Sequence, residues 1–371
     1  MVVTGRKVFR SCFRIVCVVG VAFMVGYWVY KFKIEDRDIG VVDFVSIEEN
    51  KDAKLPVVSL CFFNPFLKDK INSTVPGTKI NQYLEYLIGE KYDEKLRMID
   101  YDEVTINPED YFLYSLVYLS NETQFRNNSF QFRTNAIFDG IEYYRKSFVK
   151  CFAVEMYDST IRNVRVIKLF FDMQKILTDL DNPGGIYMQH NLHYPGAYLV
   201  EVNSARKAPM TPKVNSFHIT IDGMEVLRRR NSHNRKCFGG PGNYDDMVLE
   251  HHIEKVGCRA PYQRPHKGYD VCNSQEKIEQ SIYRYEIASK IYPPPCERIA
   301  KIDYKDQAGQ VSSVNNETWM FYLSFPKGIK VITQSKEIDG HALLGNIGGY
   351  IGLFLGKKFS TKIITLIIEM I

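Results

Sequence analysis

Apolar residues gather in two uninterrupted stretches near the ends of the chain, and between them they alternate with polar residues in short runs. The first stretch extends from Phe13 to Phe32 and is uncharged from Ile15 to Tyr30. At about 1.5 Å per residue, some 20 helical residues cover about 30 Å, the thickness of a hydrocarbon core. The second begins Leu343-Leu344-Gly345-Asn346-Ile347-Gly348-Gly349-Tyr350-Ile351-Gly352-Leu353-Phe354-Leu355-Gly356. Its spacing stacks Gly348, Gly352 and Gly356 on one helical face, with Gly345 and Gly349 on the neighbouring row. Each glycine costs a soluble helix about 1 kcal/mol, whereas in a bilayer a smooth glycine stripe lets backbones approach closely. The segment therefore reads as a packed membrane helix, and the spacing alone fits any small-xxx-small contact helix equally well.

Between the two stretches the pattern predicts a mixed α+β domain. Leu55 to Phe66 reads as a buried strand ending in an Asn64-Pro65 turn. Val166 to Met173 and Pro183 to His190 read as two short strands joined by a turn, with His190 a structural residue at the strand end. Asn81 to Ile99 supports one helix, since Leu84, Leu87, Ile88 and Met98 recur at near-helical spacing. The predicted organisation is a short N-terminus (1–12), a first membrane helix (13–32), a large domain (33–340) and a second membrane segment (341–371).

Charge sets the orientation. Arg6, Lys7, Arg10 and Arg14 precede the first stretch with no acidic residue, which places the N-terminus in the cytoplasm and the large domain outside. A cleaved signal peptide is the competing reading, but Gly26-Tyr27-Trp28-Val29-Tyr30 offers no small-x-small cleavage site. Tyr27, Trp28 and Tyr30 suit an interfacial aromatic belt instead. Sequons at Asn72, Asn121, Asn127 and Asn316 all fall in the large domain and predict glycosylation there. The net charge of +5 is diffuse, and Arg228-Arg229-Arg230 reads as a solvated turn, so no nucleic-acid partner is expected.

Of eight cysteines, Cys12 and Cys17 lie in or beside the first membrane stretch. Cys61, Cys151, Cys237, Cys258, Cys272 and Cys296 remain for an oxidising compartment, and six cysteines allow 15 pairings that spacing cannot separate. His251 and His252 near Cys258 raise a zinc reading. No Cys-x-x-Cys or spaced His pair supports it, so neither metal nor cofactor is expected.

The C-terminal glycine signature closely resembles the opening of the second membrane helix in the degenerin/epithelial sodium channel family. Leu55-Pro56-Val57-Val58-Ser59-Leu60-Cys61-Phe62-Phe63-Asn64-Pro65-Phe66 resembles the segment that follows that family's first membrane helix. Cys151-Phe152 resembles the strand carrying the partner cysteine. Leu227 to Cys237, Tyr244, Gly257-Cys258-Arg259-Ala260-Pro261-Tyr262, Cys272 and Pro293-Pro294-Pro295-Cys296 follow in order like the cysteine-rich thumb (237–296). The resemblance implies bridges Cys61–Cys151, Cys237–Cys296 and Cys258–Cys272, the last two nested so as to staple two antiparallel helices.

What the resemblance further implies is a plasma-membrane, multi-pass subunit of a trimeric sodium-selective cation channel, assembled with copies of itself or related subunits and gated through its ectodomain. That ectodomain would comprise a β-rich palm and ball with a helical finger and thumb. The permeant ion is Na⁺, the surroundings are membrane lipid, and block by amiloride follows from the resemblance alone. Pore and filter positions carried over are Asn346, Gly348, Gly349, Gly352 and Gly356, followed by Lys357, Lys358 and Glu369.

Here the chain departs from the family. Lys357-Lys358-Phe359-Ser360-Thr361-Lys362 replaces the small residues after the first filter glycine, and Asn346 stands where an aspartate is common. Thr4-Gly5 takes the place of a His-Gly gating motif, a Cys-x-x-x-Cys pair is missing after Tyr244, and Ile371 ends the second segment early. Lysine at membrane depth costs about 2.5 to 3.5 kcal/mol, so the chain as written is expected to conduct poorly, either as a partial sequence or as a non-conducting regulatory subunit. A third expectation is a type II membrane-anchored lumenal enzyme such as a glycosyltransferase. It rests on Asp100-Tyr101-Asp102, an Asp-x-Asp form repeated at Asp36 to Asp38 and Asp179 to Asp181. Such an enzyme has no use for the glycine-striped segment, and the reading taken is permeation without catalysis.

Overall fold

The computed structural model describes residues 2–35, 38–46, 55–119, 123–126, 130–134, 149–156, 164–181, 186–193, 206–211, 213–232, 236–239, 244–263, 265, 268–282, 292–312, 314–338 and 340–355. The helices are α1 (Val2–Tyr30), α2 (Lys70–Thr74), α3 (Ile80–Leu87), α4 (Tyr101–Val104), α5 (Met173–Asp179), α6 (Tyr244–Val256), α7 (Gln275–Ser281) and α8 (Gly340–Leu355). The strands are β1 (Asp38–Ser46), β2 (Val57–Phe63), β3 (Phe112–Leu119), β4 (Thr123–Arg126), β5 (Phe130–Thr134), β6 (Val149–Met156) and β7 (Val164–Asp172). They continue with β8 (Ile186–His193), β9 (Arg206–Met210), β10 (Ser216–Arg228), β11 (Glu297–Gly309), β12 (Thr318–Ser324) and β13 (Gly328–Lys336). The chain divides into two compact units, one of Met1–Val41, Ser232–Arg235 and Thr333–Ile371, the other of Val42–Asn231 and Lys236–Ile332.

Most of the second unit is built on two sheets. An eight-stranded sheet has the order β1-β13-β10-β12-β7-β3-β4 with β11 also on β10, and a five-stranded sheet has the order β5-β6-β2-β8-β9. Strand side chains alternate between faces, so every second residue reaches one core. From the larger sheet these are Phe217, Ile219 and Ile221 on β10, Trp319, Phe321 and Leu323 on β12, and Ile167, Leu169 and Phe171 on β7. The smaller sheet answers with Val58, Leu60 and Phe62 on β2 and Phe152 and Val154 on β6. Phe171 packs at a ring separation of 5.7 Å from Phe132 and 6.2 Å from Trp319, which ties the two layers through aromatic contacts.

A second core holds the helical part. Phe66, Ile71, Tyr83, Tyr86, Leu87, Leu96, Tyr101 and Val104 pack with Cys258, Ala260, Tyr262, Cys272 and Ile278. The chain enters it through the Asn-Pro turn, where Asn64 adopts φ 47° and so reverses the strand ahead of Pro65.

Several expected elements differ in detail. The helix expected over Asn81–Ile99 is broken: α3 ends at Leu87, Gly89 takes φ +72°, and Glu94–Met98 forms a separate 3₁₀ turn that leaves Met98 76% exposed. Gly89 ends the helix as a left-handed cap, with the Glu90 N–H donating to the Glu85 carbonyl at 2.9 Å, and a Cβ there would stand 3.1 Å from the Glu279 backbone nitrogen on α7. Val166–Met173 and Pro183–His190 are not a hairpin. β7 belongs to the eight-stranded sheet and β8 to the five-stranded one. Helix α5 intervenes, started by Asp172 accepting the Lys175 backbone N–H at 2.9 Å. His190 lies within β8, in register with Leu60 and Arg206, and not at a strand end. Arg228 is the last residue of β10 and holds Glu297 of β11 at 2.6 Å, so the arginine run is not simply a solvated turn. The basic segment before the first membrane stretch is itself helical, since α1 starts at Val2, and a π-helical turn over Lys31–Glu35 follows it.

Gly77 supplies a matched control for Gly89, with φ +85° and open space around it. Gly89→Ala is expected to lower stability by roughly 1–3 kcal/mol more than Gly77→Ala, because only Gly89 combines a left-handed backbone with a backbone neighbour. Denaturant midpoints of the two variants measure the difference, and equal midpoints contradict it.

Candidate functional site: the paired terminal helices

In the first unit the two ends of the chain come together. Among the described residues one helical stretch, Ile15–Lys33, is long and apolar enough to cross a membrane, with a mean hydropathy of 1.8. Only 11% of its most apolar window is buried, unlike the core helix of a globular domain. Val21 of α1 is buried with Leu343, Ile347 and Ile351 of α8 and with Ile338, and Val25, Trp28, Val29 and Phe32 pack alongside. Leu343, Ile347 and Ile351 recur every four residues, so one row of α8 supplies the whole contact. At its end, Lys336 donates to the Phe32 carbonyl and lies 3.4 Å from the centre of that ring. Lys31 sits 5.4 Å from the Tyr27 ring and 5.9 Å from the Trp28 ring, the aromatic and cationic mixture found at membrane interfaces. The other face of α1 exposes Ile15, Val16, Val18, Val19 and Phe23, the last 74% open.

The glycines point elsewhere. A methyl group added at Gly345, Gly348, Gly349 or Gly352 would meet no atom within 4 Å. The glycine stripe is therefore not what joins α8 to α1. Bulky Leu and Ile side chains make that contact, and the smooth face remains open. Asn346 is half-buried, Gly348 half-buried, and Gly349 and Gly352 exposed. Gly356, Lys357, Lys358 and Glu369 lie outside the described residues, as do Asn121 and Asn127.

The second unit holds the bridges and the remaining charged groups. Disulfides join Cys61 to Cys151, Cys237 to Cys296 and Cys258 to Cys272, the pairs that the resemblance implies. Cys61 and Cys151 stand directly opposite in the β2–β6 register, with Cα atoms 3.9 Å apart. Cys258–Cys272 closes a separation of 14 residues inside the longer Cys237–Cys296 loop, which carries α6 and α7. Loops of that shorter size are stabilised by about 3 kcal/mol in the chain-entropy picture. Cys17 is a free, buried thiol. Asn72 on α2 and Asn316 in the turn before β12 are exposed.

The Asp-x-Asp residues have structural duties. Asp100 caps α4 by accepting the Asp102 backbone N–H at 3.0 Å, Asp102 pairs with Lys150 at 2.8 Å, and Asp179 accepts the Tyr111 hydroxyl at 3.0 Å. Among the described residues no three His, Cys, Asp or Glu side chains come together in a metal-binding group. Sequence reasoning missed Lys150, whose signal is a lysine inside the apolar run Val149-Lys150-Cys151-Phe152.

No protein-family model and no curated protein sequence matches the chain. Among solved structures it is similar to a chain from the cryo-EM structure of a proton-activated chloride channel, at 7% identity over 98% of both chains with a TM-score of 0.29.

Another row crosses the larger sheet. His218 on β10 stacks on Tyr322 of β12 at 4.9 Å, and Lys168 of β7 lies 5.7 Å from the Tyr322 ring and 4.9 Å from that of Tyr118. Burial, and then the Lys168 charge, lower the His218 pKa from 6.5. A base whose folded pKa is depressed contributes stability that is complete above pH 6.5 and lost as pH falls from there through its lowered folded value. His218→Phe, which keeps an aromatic ring against Tyr322, is expected to flatten the fall in thermal stability on acidification. An unchanged pH profile of Tm in that variant contradicts the assignment.

Proposed function

We propose that the chain is an ion-channel subunit of the degenerin/epithelial sodium channel type, acting by permeation and not by catalysis. The observation that carries this reading is the packing of α1 on α8, which joins the two apolar ends of the chain and leaves the glycine face of α8 open. Glycine-lined helices associate by close backbone approach in lipid. The open face is suited to other subunits around a threefold axis, while the exposed Ile15, Val16, Val19 and Phe23 suit lipid. The ordered landmarks and three disulfides support placing the intervening domain on the extracellular side, where thiols oxidise. Sodium selectivity, trimeric assembly, ectodomain gating and a second bilayer crossing through α8 are parts of the same proposal.

A second reading is favoured by one sequence observation. Lys357 and Lys358 follow Gly356 where a cation filter needs backbone carbonyls and small side chains, and rings of cations oppose Na⁺. A non-conducting partner within a mixed channel accommodates those lysines. The engaged Asp100 and Asp102 speak against the nucleotide-sugar enzyme.

Expression in voltage-clamped cells tests the self-sufficient channel through an inward sodium current. Silence in the presence of verified surface trimers contradicts it, and altered current on co-expression with a conducting relative selects the second reading. Gly348→Leu with Gly352→Leu is expected to abolish assembly on native gels while leaving ectodomain disulfides intact. Topology has its own readout: endoglycosidase should shift the mobility of the wild-type chain, and the shift should shrink in Asn72→Gln and again in Asn316→Gln.

A further inference from the structure

The strand pattern of β6 places Lys150 on the same face as Phe152 and Val154, directly opposite Phe62 of β2. That is the core face, where alternation calls for an apolar side chain. Lys150 is only 2% exposed. Its ammonium donates to Asp102 Oδ1 at 2.8 Å and to Thr105 Oγ1 at 2.8 Å, and it lies 5.0 Å from the Tyr101 ring and 5.4 Å from the Phe152 ring. Thr105 is itself fixed by donating to the Tyr101 carbonyl at 2.6 Å. All the partners except Phe152 come from α4 and the residue that follows it, at the edge of the helical core. The two poles differ, since the Asp102 side chain is 53% exposed while the lysine is enclosed.

Arg259, next to Cys258, donates to the Gln263 carbonyl at 2.6 Å; burial lowers its pKa, and the charges of Asp100, Asp270 and Asp102 act against that shift. Lys150 in turn is next to Cys151. The cation paired with Asp102 is thus anchored beside a disulfide cysteine of the five-stranded sheet.

We propose that Asp102 and Lys150 form a conformational clasp that holds the helical lobe on β6 and can be opened only from its water-facing pole. A buried ion pair adds little net stability over an apolar pair, but removal of one partner strands the other charge away from water and is strongly destabilising. Withdrawal of α4 would leave Lys150 in a space lined by Phe62 and Phe152. The clasp therefore makes displacement of the lobe all-or-none and transmits it to β6, and one residue further to the Cys61–Cys151 bridge. This inference does not rest on the channel reading.

The test is a double-mutant cycle in the full chain purified in detergent. Asp102→Asn is expected to lower the apparent Tm by on the order of 10 °C and to speed amide exchange in both 101–105 and 150–154 by at least ~10-fold. Lys150→Met, which fits the apolar lining, is expected to stay close to wild type, and Asp102→Asn with Lys150→Met is expected to recover most of the loss. Asp100→Asn removes the α4 cap and a charge that acts on Arg259, and should not be rescued by Lys150→Met. If Asp102→Asn fails to fold, a folded double variant upholds the clasp. An unfolded double variant, or additive effects of the two substitutions, overturns it.

Discussion

The requirement that two sheets bury one face each against a shared core is the constraint on which the larger unit depends. Trp319, Phe171, Phe321 and Leu60 are almost fully enclosed there, and none of them reaches that core unless its strand keeps register. A shift by one residue in β12 would exchange Trp319, Phe321 and Leu323 for Met320, Tyr322 and Ser324. The outer face of the same sheet, with His218, Lys168 and Tyr322, is therefore set by the inner one. So is the position of Lys150, which follows from the parity of Phe152 and Val154 on β6.

The disulfides act on this frame from outside its shared core. Cys61–Cys151 crosses adjacent strands on the face away from the shared core, where Phe63 and Val149 form a small cluster with it. Of the other two bridges, Cys237–Cys296 closes a loop that carries α6 and α7, and Cys258–Cys272 closes the connection between those two helices. The Arg229 backbone N–H donates to the Cys296 carbonyl at 2.7 Å, the Cys296 N–H to the Phe238 carbonyl and the Phe238 N–H to the Pro294 carbonyl, each at 2.9 Å, so the outer bridge sits where the loop leaves the sheet. Covalent closure compensates for a small core in a segment of this kind.

The terminal helices obey a different rule. Their contact uses branched aliphatic side chains from one row of α8, while glycine occupies the opposite rows and the outward face of α1 stays apolar. In water both surfaces would be costly to expose. In lipid the apolar face of α1 costs little and the glycine face of α8 becomes an association surface, which is why these two features carry the functional proposal more strongly than any single side chain in the ectodomain.

The amino-acid pattern alone determined the apolar ends, the α+β character of the middle, the Asn64-Pro65 turn and the set of six cysteines available for bridging. These follow from local properties: run length, side-chain period, proline geometry and thiol chemistry. Tertiary structure decided what local properties leave open. Gly89 ends the expected helix in a left-handed cap, and the approach of α7, far along the chain, closes that position to any side chain. β7 and β8 joined different sheets because strand partners are chosen by core burial and not by proximity in sequence. The glycine stripe of α8 turned away from α1, since periodicity identifies faces but not which face a neighbour takes. Lys150 read as one charge in an apolar run, and its enclosure with Asp102 and Thr105 emerged only when β6 met α4, because pairing across 48 residues leaves no local signature.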